Sequence, residues 1–319
     1  MYNSTSLSEF LLLGLVDSFI ARHFLFLLCL LIYILTLTGN LSVLSVIITD
    51  VRLQTPMYFF LSNLAILDIA SSTTTVPRLL SDFFREKKSI SKTHCILQLF
   101  FFLTFISTET FLLAAMSFDR YTAICHPLHY TEIMQWKVCI QVLVAVWVVG
   151  ILYSLLYTLS TLNLSFCGPN NIQNFFCDLR QLLELSCNSN FLNILLIFLF
   201  GGVLGLTAFL ITFLPYIKIL MTVLKIKTTE GRTKAFSTCT SHLTIVLIFY
   251  STSAINYFHP NTSHFSPGRH VSLVYAVFVP VLNPLVYSLR NNDLNRGLHT
   301  YFRLLASWSA HNIHKKIVH

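Results

Sequence analysis

Apolar residues run along the chain in seven long blocks separated by short polar stretches. The blocks are residues 24–49, 57–80, 96–123, 138–159, 191–224, 235–257 and 271–289. About 20 mostly apolar residues, wound as a helix, cross the hydrocarbon core of a bilayer. The pattern therefore predicts an all-α membrane protein, a bundle of seven transmembrane helices. The second and seventh blocks are the more polar ones, and their polar faces are expected to turn into the bundle. The domain boundaries that follow are an outer tail at 1–23, the bundle at 24–289, and a cytosolic tail at 290–319 carrying a short amphipathic helix.

Composition agrees with this pattern. The chain is 55% hydrophobic and 11% charged over 319 residues, against about 25% charged in a soluble domain. No linker-like stretch, fixed-period repeat or run of like charge divides it. The halves lack the paired, Gly/Pro-broken segments of a transporter, and two intramembrane acids are too few for an ion path. No nucleophile–base pair or HExxH string lies in the spans, which argues against a membrane enzyme. The net charge of +8 reads as positive-inside bias rather than nucleic-acid binding.

An odd number of spans puts the termini on opposite sides. With the N-terminus outside, the outer pieces carry Arg22, Arg78, Arg85, Lys87, Lys88, Lys92, Arg180 and Arg269, and the other 13 of the 21 basic residues lie inside. The bias favours that orientation. Lys225, Lys227, Arg232 and Lys234 then face the cytosol, where a protein partner or anionic lipid would meet them. The sequons at Asn3, Asn163 and Asn261 all fall outside, and Asn3, on a free tail, is the expected glycan acceptor. The run Phe10–Leu15 is short and follows Glu9 without a basic flank. It reads as part of the tail and not as a cleavable signal, so the first span serves as its own insertion signal.

Of eight cysteines, Cys95, Cys167, Cys177 and Cys187 lie on the outer side, where thiols can oxidise. Four cysteines allow three pairings. Cys29, Cys125, Cys139 and Cys239 read as small buried hydrophobes. His126, His129, His311, His314 and His319 lack further ligands at useful spacing, so no metal site is expected.

Four strings then occur in order: Thr55-Pro56-Met57-Tyr58-Phe59-Phe60-Leu61-Ser62-Asn63-Leu64; Met116-Ser117-Phe118-Asp119-Arg120-Tyr121-Thr122-Ala123-Ile124-Cys125 followed by His126-Pro127-Leu128-His129-Tyr130; Lys234-Ala235-Phe236-Ser237-Thr238-Cys239-Thr240-Ser241-His242-Leu243; and Pro280-Val281-Leu282-Asn283-Pro284-Leu285-Val286-Tyr287-Ser288-Leu289-Arg290-Asn291. Together the chain resembles the odorant-receptor family of rhodopsin-like G-protein-coupled receptors, from Glu9 to about Leu298. The resemblance implies disulfides Cys95–Cys177 and Cys167–Cys187, a plasma-membrane location, small volatile ligands, and a stimulatory, olfactory-type G protein that raises cyclic AMP. The alternative is the same fold sensing a non-odorant small molecule outside the olfactory epithelium. Four positions depart from the family pattern: Gln54, Asn174, Pro215 and Ser251. Asn174 stands where a His usually precedes Phe175-Phe176-Cys177, which leaves a metal-assisted ligand site without that His.

Asp68 and Glu109 are carboxylates inside spans, and an intramembrane acid costs about 2.5–3.5 kcal/mol on insertion scales. Facing each other they would share a proton or hold a cation, and the resemblance favours a sodium site. No other cofactor is expected. Asp119-Arg120-Tyr121 places an always-charged, five-donor side chain at the inner end of the third helix, able to change partners. Pro284 removes a helix hydrogen bond, Asn283 can re-satisfy the freed groups, and Tyr287 can swing. Tyr216 completes the expected G-protein switch. The ligand pocket is expected in the outer half, between the third, fifth, sixth and seventh helices. Helical spacing puts Phe102, Leu103, Ile106, Ser107 and Thr110 near one broad face. Facing them are Phe200, Leu204, Ser253, Ala254, Tyr257, Leu273 and Ala276. That lining suits a small hydrophobic ligand bearing one hydrogen-bonding group, with Ser107 and Tyr257 as the polar anchors.

Overall fold

The computed structural model describes residues 8–16, 18–166, 170–187, 195, 197–226, 228–258 and 268–318. Seven helical elements stand side by side: α1 (Phe19–Thr49), α2 (Pro56–Asp82), α3 (Lys92–Cys125), α4 (Trp136–Leu162), α5 (Gly202–Lys225), α6 (Thr229–Phe258) and α7. The last is made of Gly268–Leu273, a π-helical stretch Val274–Phe278, and Val279–Arg290. A π-helical stretch, Ile197–Gly201, also leads into α5. Six of the seven are long and apolar enough to cross a membrane. In α6 the apolar stretch Cys239–Ile255 is shorter but lies within a 30-residue helix, about 45 Å long at 1.5 Å per residue.

The bundle is built around α3, which packs against α2, α4, α5 and α6. Within their apolar windows α3 is 61% buried and α2 and α7 are each 56% buried, against 22% for α1, α4 and α5. The more polar second and seventh helices therefore sit inward, and the plainly apolar ones face lipid. Some hydroxyls are satisfied within their own helix: Thr36 donates to the Ile32 carbonyl and Ser72 to that of Asp68, at 2.8 and 2.7 Å. This is how a membrane helix accommodates Ser and Thr. Pro56 opens α2 after an extended Thr55, where a missing N–H costs nothing.

Three elements differ from the sequence expectation. The apolar run after Glu9 is no free tail: Glu9–Leu12 forms strand β1, in a sheet with β2 (Ser89–Ser91) and β3 (Asn171–Ile172). Its partners lie about 80 and 160 positions away, beyond what local patterning can register. Helix α1 begins at Phe19 rather than 24, because Arg22 and His23 lower the hydropathy without breaking the helix. The C-terminal helix α8 (Asn292–Val318) is 27 residues long and not short. Leu294 is buried against the bundle, with Leu298 and Tyr301 packed on the same cluster. That i, i+4, i+7 stripe holds an otherwise polar segment in place.

Candidate functional site

At the outer end the second outer loop is drawn down onto the bundle. The Cys95–Cys177 disulfide ties it to the first turn of α3. One turn on, Gln98 accepts from the Cys177 N–H and donates to the Thr74 carbonyl of α2, both at 3.0 Å. Asn174 donates to the Ser272 hydroxyl of α7 at 3.0 Å. Asn174, one of the four departures from the resembled pattern, thus makes a direct amide–hydroxyl link between loop and helix. Cys187 is itself disulfide-bonded, while Cys167, its expected partner, lies outside the described residues.

These ties set Phe176 against Phe102 and Tyr275, with ring centroids 5.0 and 6.2 Å away, and Phe102 lies 5.7 Å from Tyr275. Ala276 is buried in the same cluster, and Ile106 and Leu273 pack on it. The structure thus brings together Phe102, Ile106, Leu273 and Ala276 of the expected lining, and adds Phe176 and Tyr275, which the sequence reading passed over. Phe176 was within reach of that reading, because its neighbour Cys177 is bonded to Cys95, two helical turns above Phe102.

The other expected residues are placed differently. Leu103 belongs to a second cluster with Tyr157 of α4 and Cys177. Ser107 donates to its own helix at Leu103 and to the Gly150 carbonyl of α4, at 2.5 and 3.3 Å. These two form the neighbouring stripe of α3, about 100° round the helix from Phe102 and Ile106, and their stripe meets α4. Beside them Thr104 donates to Ser154 at 2.7 Å, and a Cβ on Gly150 would meet the Thr108 hydroxyl. Thr110 donates to the Ile106 carbonyl at 2.7 Å. Phe200 is 48% exposed; it lies in the π-helical stretch, where counting at 3.6 residues per turn loses phase. Leu204 and Ser253 are half-buried and Ala254 is exposed. The side chain of Tyr257 lies outside the described residues, as do Asn3 and Asn261. Asn163 is exposed in the turn after α4.

Midway down, Asp68 is fully buried and accepts from the Asn283 amide at both oxygens, 2.9 and 3.1 Å. Asn40 donates to the carbonyls of Thr36 and Pro280, each at 3.0 Å, next to the Pro284 break in α7. Glu109 lies beside Asn283 and within electrostatic reach of Asp68. Glu109 Oε1, Asn283 Oδ1 and the Tyr287 hydroxyl are buried without a hydrogen-bond partner, and each such group costs about 1–3 kcal/mol. Orphaned oxygens around two acids are a donor set that suits a hard cation. Among the described residues no three or more of His, Cys, Asp and Glu come together as a metal-ligand group.

At the inner end Asp119 is fully buried and pairs through Oδ2 with Arg120 at 2.6 Å. Its Oδ1 accepts from the Tyr130 hydroxyl at 2.7 Å. Tyr130 opens a single helical turn, Tyr130–Ile133, in the second inner loop. Tyr121 meets His126 at 3.0 Å. Tyr216 of α5 is hydrogen-bonded to the buried His242 of α6 and packs with Ile219, Val223 and Cys239. His242 lies in the string Lys234 to Leu243, yet a lone His on an apolar helix face carries no signal of its own.

The chain matches the family model described as olfactory receptor over residues 28–303. It is 46% identical to gorilla "Olfactory receptor 1G1" over 297 residues, covering 93% of this chain and 95% of that protein. It is 44% identical to human "Olfactory receptor 1C1" over 297 residues, with the same coverage. To mouse "Olfactory receptor 5G29" it is 44% identical over 293 residues, 92% of this chain and 93% of that one.

Proposed function

We propose that this chain, which belongs to the olfactory receptor family, binds small hydrophobic volatiles in the outer half of its bundle and activates a stimulatory, olfactory-type G protein, raising cyclic AMP. As a member of that family it is an odorant-sensing G-protein-coupled receptor and not an enzyme, and a multi-pass protein of the plasma membrane. The observation that carries the mechanism is the inner lock, in which the Asp119 carboxylate is divided between Arg120 and Tyr130.

A ligand seated among Phe102, Ile106, Leu273 and Ala276 touches α3 and α7 at once. It shifts the balance between resting and signalling arrangements by its differential affinity for the two. Both helices continue inward to the switch groups: α3 to Asp119 and Arg120, α7 to Asn283, Pro284 and Tyr287. In the signalling arrangement Arg120 leaves Asp119 and turns to the incoming G protein, while Tyr216, held by His242 at rest, marks the seam where α5 and α6 separate. Asp68, Glu109 and Asn283 would hold a sodium ion, which supplies positive charge between two buried acids and favours the resting packing. The exposed basic residues at the inner ends of α5 and α6 meet the G protein or anionic lipid headgroups.

The test is cyclic AMP in cells carrying this chain and the olfactory-type G protein, challenged with a panel of small volatiles. Surface staining of the N-terminus runs in parallel. A dose-dependent rise that disappears in Arg120→Ala supports the reading. Silence from a well-stained receptor across the panel overturns it.

A further inference from the structure

At the outer end of the bundle the chain's own N-terminal segment is paired to both outer loops. Strand β1 is the middle strand of the sheet, in the order β2-β1-β3. It runs antiparallel to β2, with Phe10 opposite Ile90, and parallel to β3, with Leu12 opposite Ile172. The first and second outer loops thus reach each other in the sheet only through this strand. Four backbone bonds at its edges hold it: Lys92 N–H to Ser8 and Leu12 N–H to Lys88 on one side, Leu11 N–H to Asn170 and Leu13 N–H to Ile172 on the other, at 2.8–3.1 Å.

The segment stands on two apolar feet. Phe10 and Leu12 pack with Leu99 and Leu103 of α3 and Tyr157 of α4. Leu15 packs in the cluster that contains Phe102, Phe176 and Tyr275. Between the feet the chain turns at Gly14, whose φ of +67° lies in the left-handed region that L side chains rarely adopt. The Gly14 carbonyl accepts from Arg269 of α7 at 3.2 Å. Beside the second foot lies a small cavity of about 10 Å³, lined by Leu15, Val16, Leu79, Phe83 and Phe175. Asp82 also lines it, and its Oδ1 is buried there without a partner, while Oδ2 pairs with Arg78.

We propose that residues 8–16 are a gating strap. It bridges the two outer loops over the ligand site and lifts, turning at Gly14, to admit a ligand to Phe102 and Ala276. This rests on the outer-pocket reading above. The strap is one short strand at the outer end of the bundle, and opening it locally costs less than unfolding the helices beneath it. Lifting it uncouples both loops and releases α7 at Gly14, while the disulfide and Gln98 keep the second outer loop on α3.

Ala276 is 4% exposed and shares a buried cluster with Leu15 of the strap, so its accessibility reports the gate. The experiment places a cysteine there (Ala276→Cys) in the full receptor on intact cells. It measures the rate of modification by a small, membrane-impermeant methanethiosulfonate, with the unmodified receptor as background. Leu11→Pro removes the bond to Asn170 from a central strand, where Pro is not tolerated, and Phe10→Ala removes the first foot. Either is expected to speed modification about tenfold or more by raising the open fraction. A cross-link between Phe10→Cys and Ile90→Cys is expected to slow it by a similar factor. If Leu11→Pro stays inside the cell, Phe10→Ala and the cross-linked pair decide. Equal rates in all of them overturn the strap and point to entry from the lipid side. The assay uses neither odorant nor G protein, so its failure is distinct from a failure of the cyclic AMP test.

Discussion

The phenol of Tyr130 donates a 2.7 Å hydrogen bond to Oδ1 of Asp119, the carboxylate oxygen that Arg120 leaves free. Both lone-pair faces of a fully buried acid are thereby used, one by an interior arginine and one by a loop. Burial, then the neighbouring Asp119 charge, push the Tyr130 phenol well above the usual tyrosine range. A raised pKa keeps the neutral, donating form present up to the higher value, so the bond is not lost across neutral and mildly alkaline pH. A hydrogen bond to a charged group is worth about 1.5–3 kcal/mol. Tyr130→Phe therefore loosens Asp119 and makes Arg120 easier to release. Ligand-free cyclic AMP should rise several-fold at equal surface level, with no dependence on pH in this range. Unchanged basal signalling would show that Arg120 alone holds the resting state.

The polar centre makes a second prediction. Glu109→Gln keeps the shape of the side chain and removes its charge. If the two acids share a sodium ion, replacing sodium by choline in a membrane nucleotide-exchange assay should raise basal exchange in the parent and leave the variant unaffected. A variant with the parent's basal level and the parent's sodium response would exclude the site.

Gln98 is the third. It satisfies the Cys177 N–H and the Thr74 carbonyl together, and truncating it strands both at the outer end of α3. Each stranded group costs about 1–3 kcal/mol. Gln98→Ala should lower the thermal midpoint of detergent-solubilised receptor and reduce its surface level, with the Cys95–Cys177 bond intact. Gln98→Glu keeps an acceptor for the N–H but loses the donor to Thr74, and should fall between the two.

Tyr216 and His242 make the fourth. Their contact joins α5 to α6 at the seam that must part. Tyr216→Phe and His242→Phe each remove it, so the second change should add little to the first. A double-mutant cycle on basal cyclic AMP should show a coupling above about 0.5 kcal/mol, as for residues in direct contact. Additive effects would mean that the pair is incidental to switching.

What could be read from the sequence divides along a physical line. The spans were legible because lipid demands about 20 apolar residues whatever the neighbours are, and the inward turn of α2 and α7 followed from their polar positions. That Phe102 and Ile106 share a face of α3 was legible because i, i+4 spacing holds along a straight helix, and both do pack on one cluster. Strand β1 was not, since its pairing depends on loops far away in sequence. Phe200 was misplaced by a π-helical turn that leaves no local mark. His242 was passed over because its partner, Tyr216, lies on another helix, and nothing in one chain links two residues 26 apart.

Ser107 and Phe102 give the sharpest contrast, because sequence put them on one face and the structure separates them. The Ser107 hydroxyl is committed to the Leu103 and Gly150 carbonyls, on the α4 side of α3. Phe102 lies between Phe176 and Tyr275, beneath the outer loop. For any volatile that activates the receptor, Ser107→Ala should leave the half-maximal concentration within about twofold, since the lost bonds are internal and present with or without ligand. Phe102→Ala removes a buried ring, which costs about 3–5 kcal/mol of stability, so Phe102→Leu is the variant to read alongside it, at matched surface levels. Both should shift the half-maximal concentration by about tenfold or more if the ring contacts ligand, a difference of about 1.4 kcal/mol. The opposite pattern, with Ser107→Ala shifted and Phe102→Leu unmoved, would place the ligand on the α4 side of α3 and return Ser107 to the polar anchor that its spacing first proposed.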